Sequence, residues 1–154
     1  MKNALTKSFV FLFERDLTKL ESEISQYADD GALWKVTGQI TNPAGNLCLH
    51  LCGNLQYYLG TVLGKTGYVR NRPLEFSAKG ISRDALMAEI VRTKKAVAET
   101  LGKLDDDQLA QSYPEDVLGY PMTTSFFLNH LFGHLGYHLG QVNYHRRLTT
   151  PSTR

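Results

Sequence analysis

Apolar residues recur at steps of three and four along most of this chain, and the steps mark out four long amphipathic helices. The first predicted helix runs from about Ala4 to Tyr27, with Val10, Phe13, Leu17, Leu20, Ile24 and Tyr27 on its inward stripe. The second starts near Pro43 and runs to about Leu63. Asn42 is its expected N-cap, Pro43 its first helical residue and Gly64 its stop. The third opens at Ser82 as N-cap, with Ile81 and Leu86 as a hydrophobic staple and Leu86, Ile90, Val97, Leu101 and Leu104 facing the core. The fourth spans about Thr123 to Leu148 and carries Phe127, Leu131, Leu135 and Val142 inward.

The connections are less regular. Trp34, Val36 and Ile40 alternate within 32–43, a segment that reads as extended but too short for a secure strand. Residues 66–80 keep no helical period, and Pro73 argues for a loop whose arginines, Arg70 and Arg72, face solvent or bind an anion. Asp105, Asp106 and Asp107 lack the alternation of a calcium loop and read as capping charge for a short turn or helix through Ala110. Four long helices without a convincing sheet predict an all-α four-helix bundle with long connecting loops. One domain covers 1–148, and 149–154 form a mobile tail.

At 154 residues, with 42% hydrophobic and 21% charged, the chain suits a single soluble domain. A net charge of +2 and the lack of a basic block give no case for nucleic acid. The apolar run Phe9–Phe13 is too short for a signal-peptide core or a membrane span. Two cysteines, Cys48 and Cys52, make no disulfide framework; reduced thiols in a cytoplasmic protein are the expectation.

Candidate chemistry concentrates in the last helix. His130, His134 and His138 fall at intervals of four, and His145 follows one heptad later. Residues i and i+4 share a helix face, so either His130 with His134 or His134 with His138 can aim two imidazoles at one divalent metal. Two such rings bind weakly, and a third ligand is needed. His145, beside Arg146 and Arg147, reads as a solvated cation. Gly133, Gly136 and Gly140 lie on one side of the helix, where each costs roughly 1 kcal/mol against alanine; close approach of a neighbouring helix or a bound group is the expected compensation. The remaining histidine, His50, sits on the second helix, with Cys48 and Cys52 about 200° round from it and Asn46 and Asn54 on its own face. If the second and fourth helices are neighbours, His50 reaches the C-terminal histidines across the interior.

The chain resembles the DinB/YfiT-like metalloenzyme family along nearly its whole length. The resemblance rests on His50 midway along the second helix, on the charged loop Val69-Arg70-Asn71-Arg72-Pro73-Leu74-Glu75-Phe76, and on His134-Leu135-Gly136-Tyr137-His138-Leu139-Gly140-Gln141. It implies an up-down-down-up bundle and a homodimer. It also implies a three-histidine site, His50, His134 and His138, for a divalent transition metal such as zinc or nickel. Members that transfer low-molecular-weight thiols imply a thiol S-transferase acting on a small-molecule electrophile, with Arg70 or Arg72 holding a carboxylate of the thiol and Tyr57, Tyr58 or Tyr137 as hydrogen-bond donors. A metal-dependent hydrolase and a non-enzymatic metal-binding or stress-response module are the alternatives. The chain departs from relatives in carrying Tyr137 and Leu139 beside the last ligand, and in the extra His130.

Overall fold

The computed structural model describes residues 4–151. Its helices are α1 (Ala4–Ser25), α2 (Ala44–Leu55), α3 (Arg72–Ser77), α4 (Arg83–Lys103), α5 (Asp106–Ala110) and α6 (Thr124–Thr149). A 3₁₀ turn, Gly31–Trp34, precedes α2, and a π-helical turn, Gln56–Thr61, prolongs it. Among the described residues there is no strand, only one isolated antiparallel bridge between Ser112 and Thr123. The four long helices form the expected bundle. α1 packs against α4 and α6, and α2 packs against the same two. Chain neighbours α1 and α2 therefore stand at opposite corners, and α2 lies beside α6.

The inward stripes assemble much as their spacing predicts. Phe13, Leu17, Leu20, Ile24 and Tyr27 of the first stripe are buried, with Phe9 taking the place expected for Val10. Leu86, Ile90, Val97, Leu101 and Leu104 face them, along with Phe127, Leu131, Leu135 and Val142. Each large apolar side chain buried in this way contributes roughly 1.5–3 kcal/mol. Ser82 Oγ accepts the Ala85 amide at 3.1 Å, Thr123 Oγ1 accepts the Phe126 amide at 3.1 Å, and Asp105 forms a reciprocal capping box with Gln108. Such caps satisfy amide donors that the first turn leaves without intrahelical partners.

Two connections and two helix boundaries differ from their sequence reading. The 32–43 segment begins as a 3₁₀ turn, with Trp34 Nε1–H donating to Ile81 O and its ring packed over Gly45. Pro43, not Asn42, is the N-cap of α2. The 66–80 loop contains α3, where Asn71 caps the Leu74 amide and Pro73 sits in the first turn, a position where its missing N–H costs nothing. Helix α6 runs one residue beyond the expected domain edge, to Thr149, and residues 152–154 of the expected tail lie outside the described residues. No helix among the described residues is long and apolar enough to cross a membrane.

Candidate metal centre

Helices α2 and α6 bring His50, His134 and His138 together. One nitrogen from each ring lies within 4.8 Å of the others, a set that could hold a metal ion. The ring centroids are 4.9 Å apart for His50–His134, 5.2 Å for His50–His138 and 4.5 Å for His134–His138. Interplanar angles of 78°, 89° and 85° set the rings edge to face around a common point. His50 Nε2 and His134 Nε2 are 3.0 Å apart. Two imidazole nitrogens at that separation need a proton or a cation between them. Tetrahedral zinc with N at 2.0–2.1 Å would set them about 3.3 Å apart.

The outer nitrogens explain why the inner ones converge. His50 Nδ1 lies 2.9 Å from Glu75 Oε1; with the carboxylate accepting, Nδ1 carries the proton and Nε2 presents its lone pair. His138 Nδ1 lies 2.7 Å from Gln141 Oε1, which fixes the same tautomer there. A carboxylate or carbonyl behind a ligating imidazole orients the ring and raises its basicity. His134 Nδ1 is buried and has no hydrogen-bond partner, so that ring takes its orientation from packing between the other two. Burial, then the neighbouring His138 and His50, pushes the His134 pKa down to about 3. Burial likewise lowers His138, against the opposing pull of Gln141. Both rings are therefore neutral at pH 7, the form that ligates a metal.

Glu75 is the participant that the sequence did not disclose. It is buried at the base of α3, and Arg70 grips it with Nε to Oε2 at 2.9 Å and Nη2 to Oε1 at 2.8 Å. Burial alone would raise the Glu75 pKa, but the hydrogen bonds from Arg70 and His50 outweigh it and hold the carboxyl below its ordinary value. The carboxylate rests on α2 at Gly53, where an added Cβ would meet Glu75 Oε2 at 2.0 Å. A glycine three residues after His50 is thus the sequence trace of this contact. Asn46, on the same face, is buried and donates to Glu75 O and Ala78 O, both at 2.9 Å, tying α3 to α2.

The family model described as "Protein of unknown function (DUF1572)" matches residues 3–151. The chain belongs to the DUF1572 family. Its fold is DinB-like, as the sequence resemblance implied. A solved DinB-like protein from Bacillus cereus is 19% identical, covers 96% of this chain and 97% of its own length, and superposes with a TM-score of 0.75. A conserved protein from Enterococcus faecalis is 16% identical, with coverage of 97% and 98% and the same TM-score of 0.75. At these identities the two structures share the fold of this DUF1572 chain. No curated protein matches it.

Of the other sequence candidates, Arg70 meets the triad through Glu75 and lies 3.4 Å from His50 Nδ1. His130 stacks on Phe127 at 5.8 Å and 10° and stays outside the cluster, so His134 with His138 is the pair that converges. Arg72 lies over the Phe76 ring at 5.4 Å. Arg70 and Arg72 both line a cleft of about 170 Å³ with His50 and His134. His145 is not solvated: it is buried, with Nδ1 2.7 Å from the Tyr27 hydroxyl and Nε2 2.7 Å from Lys35 O. Gly133, Gly136 and Gly140 face open space, so no other helix of this chain makes the expected close approach. Cys48 and Cys52 are free and buried, and the Cys52 thiol together with burial pushes Cys48 well above the ordinary thiol range.

Proposed function

We propose that this protein is a metal-dependent enzyme in which His50, His134 and His138 hold one divalent transition ion, zinc, nickel or similar, and that it transfers a low-molecular-weight thiol to a small electrophile. The observation that carries the metal reading is the convergence of three ring nitrogens while Glu75 and Gln141 occupy the outer nitrogens of two of the rings. A bound ion supplies positive charge that stabilises a thiolate at neutral pH.

The chain's own groups divide the remaining work. Glu75, clamped by Arg70, keeps the His50 ring in one tautomer and one orientation. With the Arg70 fork committed to Glu75, Arg72 is the guanidinium in the cleft to bind a carboxylate of the thiol. Tyr58 lines the same cleft, with Arg70 5.6 Å over its ring. In the transfer itself the thiol proton goes to solvent, the sulfur lone pair forms the new C–S bond, and the leaving group departs with the electron pair of the bond it breaks. The reading includes a cytoplasmic homodimer; free Cys48 and Cys52 fit a reducing compartment, and light scattering reads the assembly.

Hydrolysis has less support. It needs a carboxylate free to take a proton from water, and the carboxylate touching the cluster has one oxygen bonded to His50 and Arg70 and the other to Arg70. The deciding experiment supplies metal-loaded protein with glutathione, bacillithiol or mycothiol and 1-chloro-2,4-dinitrobenzene. Thiol-dependent dinitrophenyl thioether formation that is lost in His50→Ala is the expected result. Ester turnover without any thiol would support hydrolysis. Bound metal without either activity would leave a metal-holding module.

A further inference from the structure

The histidine cluster borders two recesses of different character. The cleft of about 170 Å³ on the His50 and His134 side is lined by Arg70, Arg72 and His130 and by no carboxylate. On the His138 side lies a larger cavity of about 500 Å³, with Ile40, Leu47, Tyr137, Tyr144 and Leu148 in its wall. No Asp, Glu, Lys or Arg lines this second cavity. His138 and its partner Gln141 form part of its wall, so it adjoins the candidate metal centre at a ring that does not line the arginine cleft.

We infer that the two recesses hold chemically different ligands: the larger cavity seats an uncharged, largely apolar aromatic molecule, and the arginine cleft takes the anionic one. Under the transferase reading, on which this one assignment rests, the aromatic molecule is the electrophile. A charged ligand in the larger cavity would lose hydration and meet no charged side chain in its wall, whereas an apolar ring gains by leaving water. The volume lies within the roughly 300–1,000 Å³ usual for small-molecule sites. The hydroxyls of Tyr137, Tyr144 and Thr41, with the amides of Gln39 and Asn42, offer hydrogen bonds to a neutral polar substituent. The wall is anchored: His145 Nε2 bonds to Lys35 O, pinning the start of the segment that carries Gln39 to Asn42.

The test uses the full-length, metal-loaded protein with methyl-labelled Ile, Leu and Val. The probes are 4-nitrobenzyl alcohol and its charged counterpart 4-nitrobenzoate, followed by NMR titration. The alcohol should shift the Ile40, Leu47 and Leu148 methyls saturably and leave Leu131 in the cleft unmoved. In a parallel titration of the metal-free protein, where no ion draws the carboxylate, the benzoate should bind there at least tenfold more weakly. Leu148→Asp, at an exposed rim position, should weaken the alcohol severalfold, and Leu148→Lys should narrow the gap between benzoate and alcohol, both with metal content unchanged. Arg72→Ala should leave alcohol binding as it is. The inference is overturned if the alcohol moves Leu131 instead, if no saturable shift appears, or if the benzoate binds the metal-free wild-type cavity as well as the alcohol does. Saturable binding of the alcohol without any thiol turnover would sink the transferase reading and leave the cavity assignment standing.

Discussion

His138 and His145 lie two turns apart on α6, the first half-buried and the second buried, and they are opposite in chemical capacity. The His145 ring is spent: the Tyr27 hydroxyl meets one nitrogen and the Lys35 carbonyl meets the other. The His138 ring is half spent, because Gln141 takes the outer nitrogen and the inner one points at two other imidazoles. Burial and residue type do not separate a structural histidine from a ligand. What separates them is whether the second nitrogen finds an ordinary hydrogen-bond partner in the protein.

The largest expected effect breaks the ligand side of that contrast. His50→Ala, His134→Ala and His138→Ala should each bring metal content, read by ICP mass spectrometry after dialysis, from about one ion per chain to background. His130→Ala and His145→Ala should retain the ion. Full metal retention in His50→Ala would end the three-histidine assignment.

A graded loss should follow when the support behind His50 is altered. Glu75→Gln keeps the shape but loses the charge, and metal affinity should fall about 10- to 100-fold by competition titration. Gly53→Ala should act in the same direction, because the new methyl occupies the place of Glu75 Oε2.

On the structural side, His145→Ala takes the nearer partner from the Tyr27 hydroxyl, which keeps Val142 O at 3.2 Å, and removes the ring partner of the Lys35 carbonyl. It should cost about 2–3 kcal/mol in urea unfolding, with metal content intact.

The smallest effect is on pH dependence. Burial lowers the folded-state pKa of His145 below its ordinary 6.5, against the opposing hydrogen bond to Lys35. The unfolded chain then binds the proton more readily, so this contribution is fully present above pH 6.5 and is lost as the pH falls below it. In metal-free protein, stability should decline from pH 6.5 downward, His145→Gln should flatten the decline, and one histidine contributes at most about 1.4 kcal/mol per pH unit. An unchanged slope in that variant would remove His145 from the account.

The bundle was legible because long helices repeat their apolar positions many times, and two of them start at Ser82 and Thr123. Helix α3 was hidden because six residues are too few for a period, although Asn71 and Pro73 carried its start signal. His134 and His138 were legible as a local pair, and His50 joined them only through family likeness, since the contact spans 84 residues. Glu75 was missed because an acidic residue in a loop looks solvated until a helix 25 residues away is placed beneath it. His145 was misread from its neighbours: Arg146 turns to Glu23, while His145 turns inward to the end of α1. The glycines of α6 have no compensating contact within the chain, and nothing in the structure explains them.

The latch formed by Arg70 and Glu75 belongs to a surface excursion and not to the bundle that supplies the ligands. Lifting that short helix would free His50 to rotate while the four long helices stay packed. Exchange of a bound ion would then follow the rate of a local opening, well below the free energy of global unfolding. Substitutions at its tip could retune ion lifetime in a descendant protein without touching a single coordinating side chain.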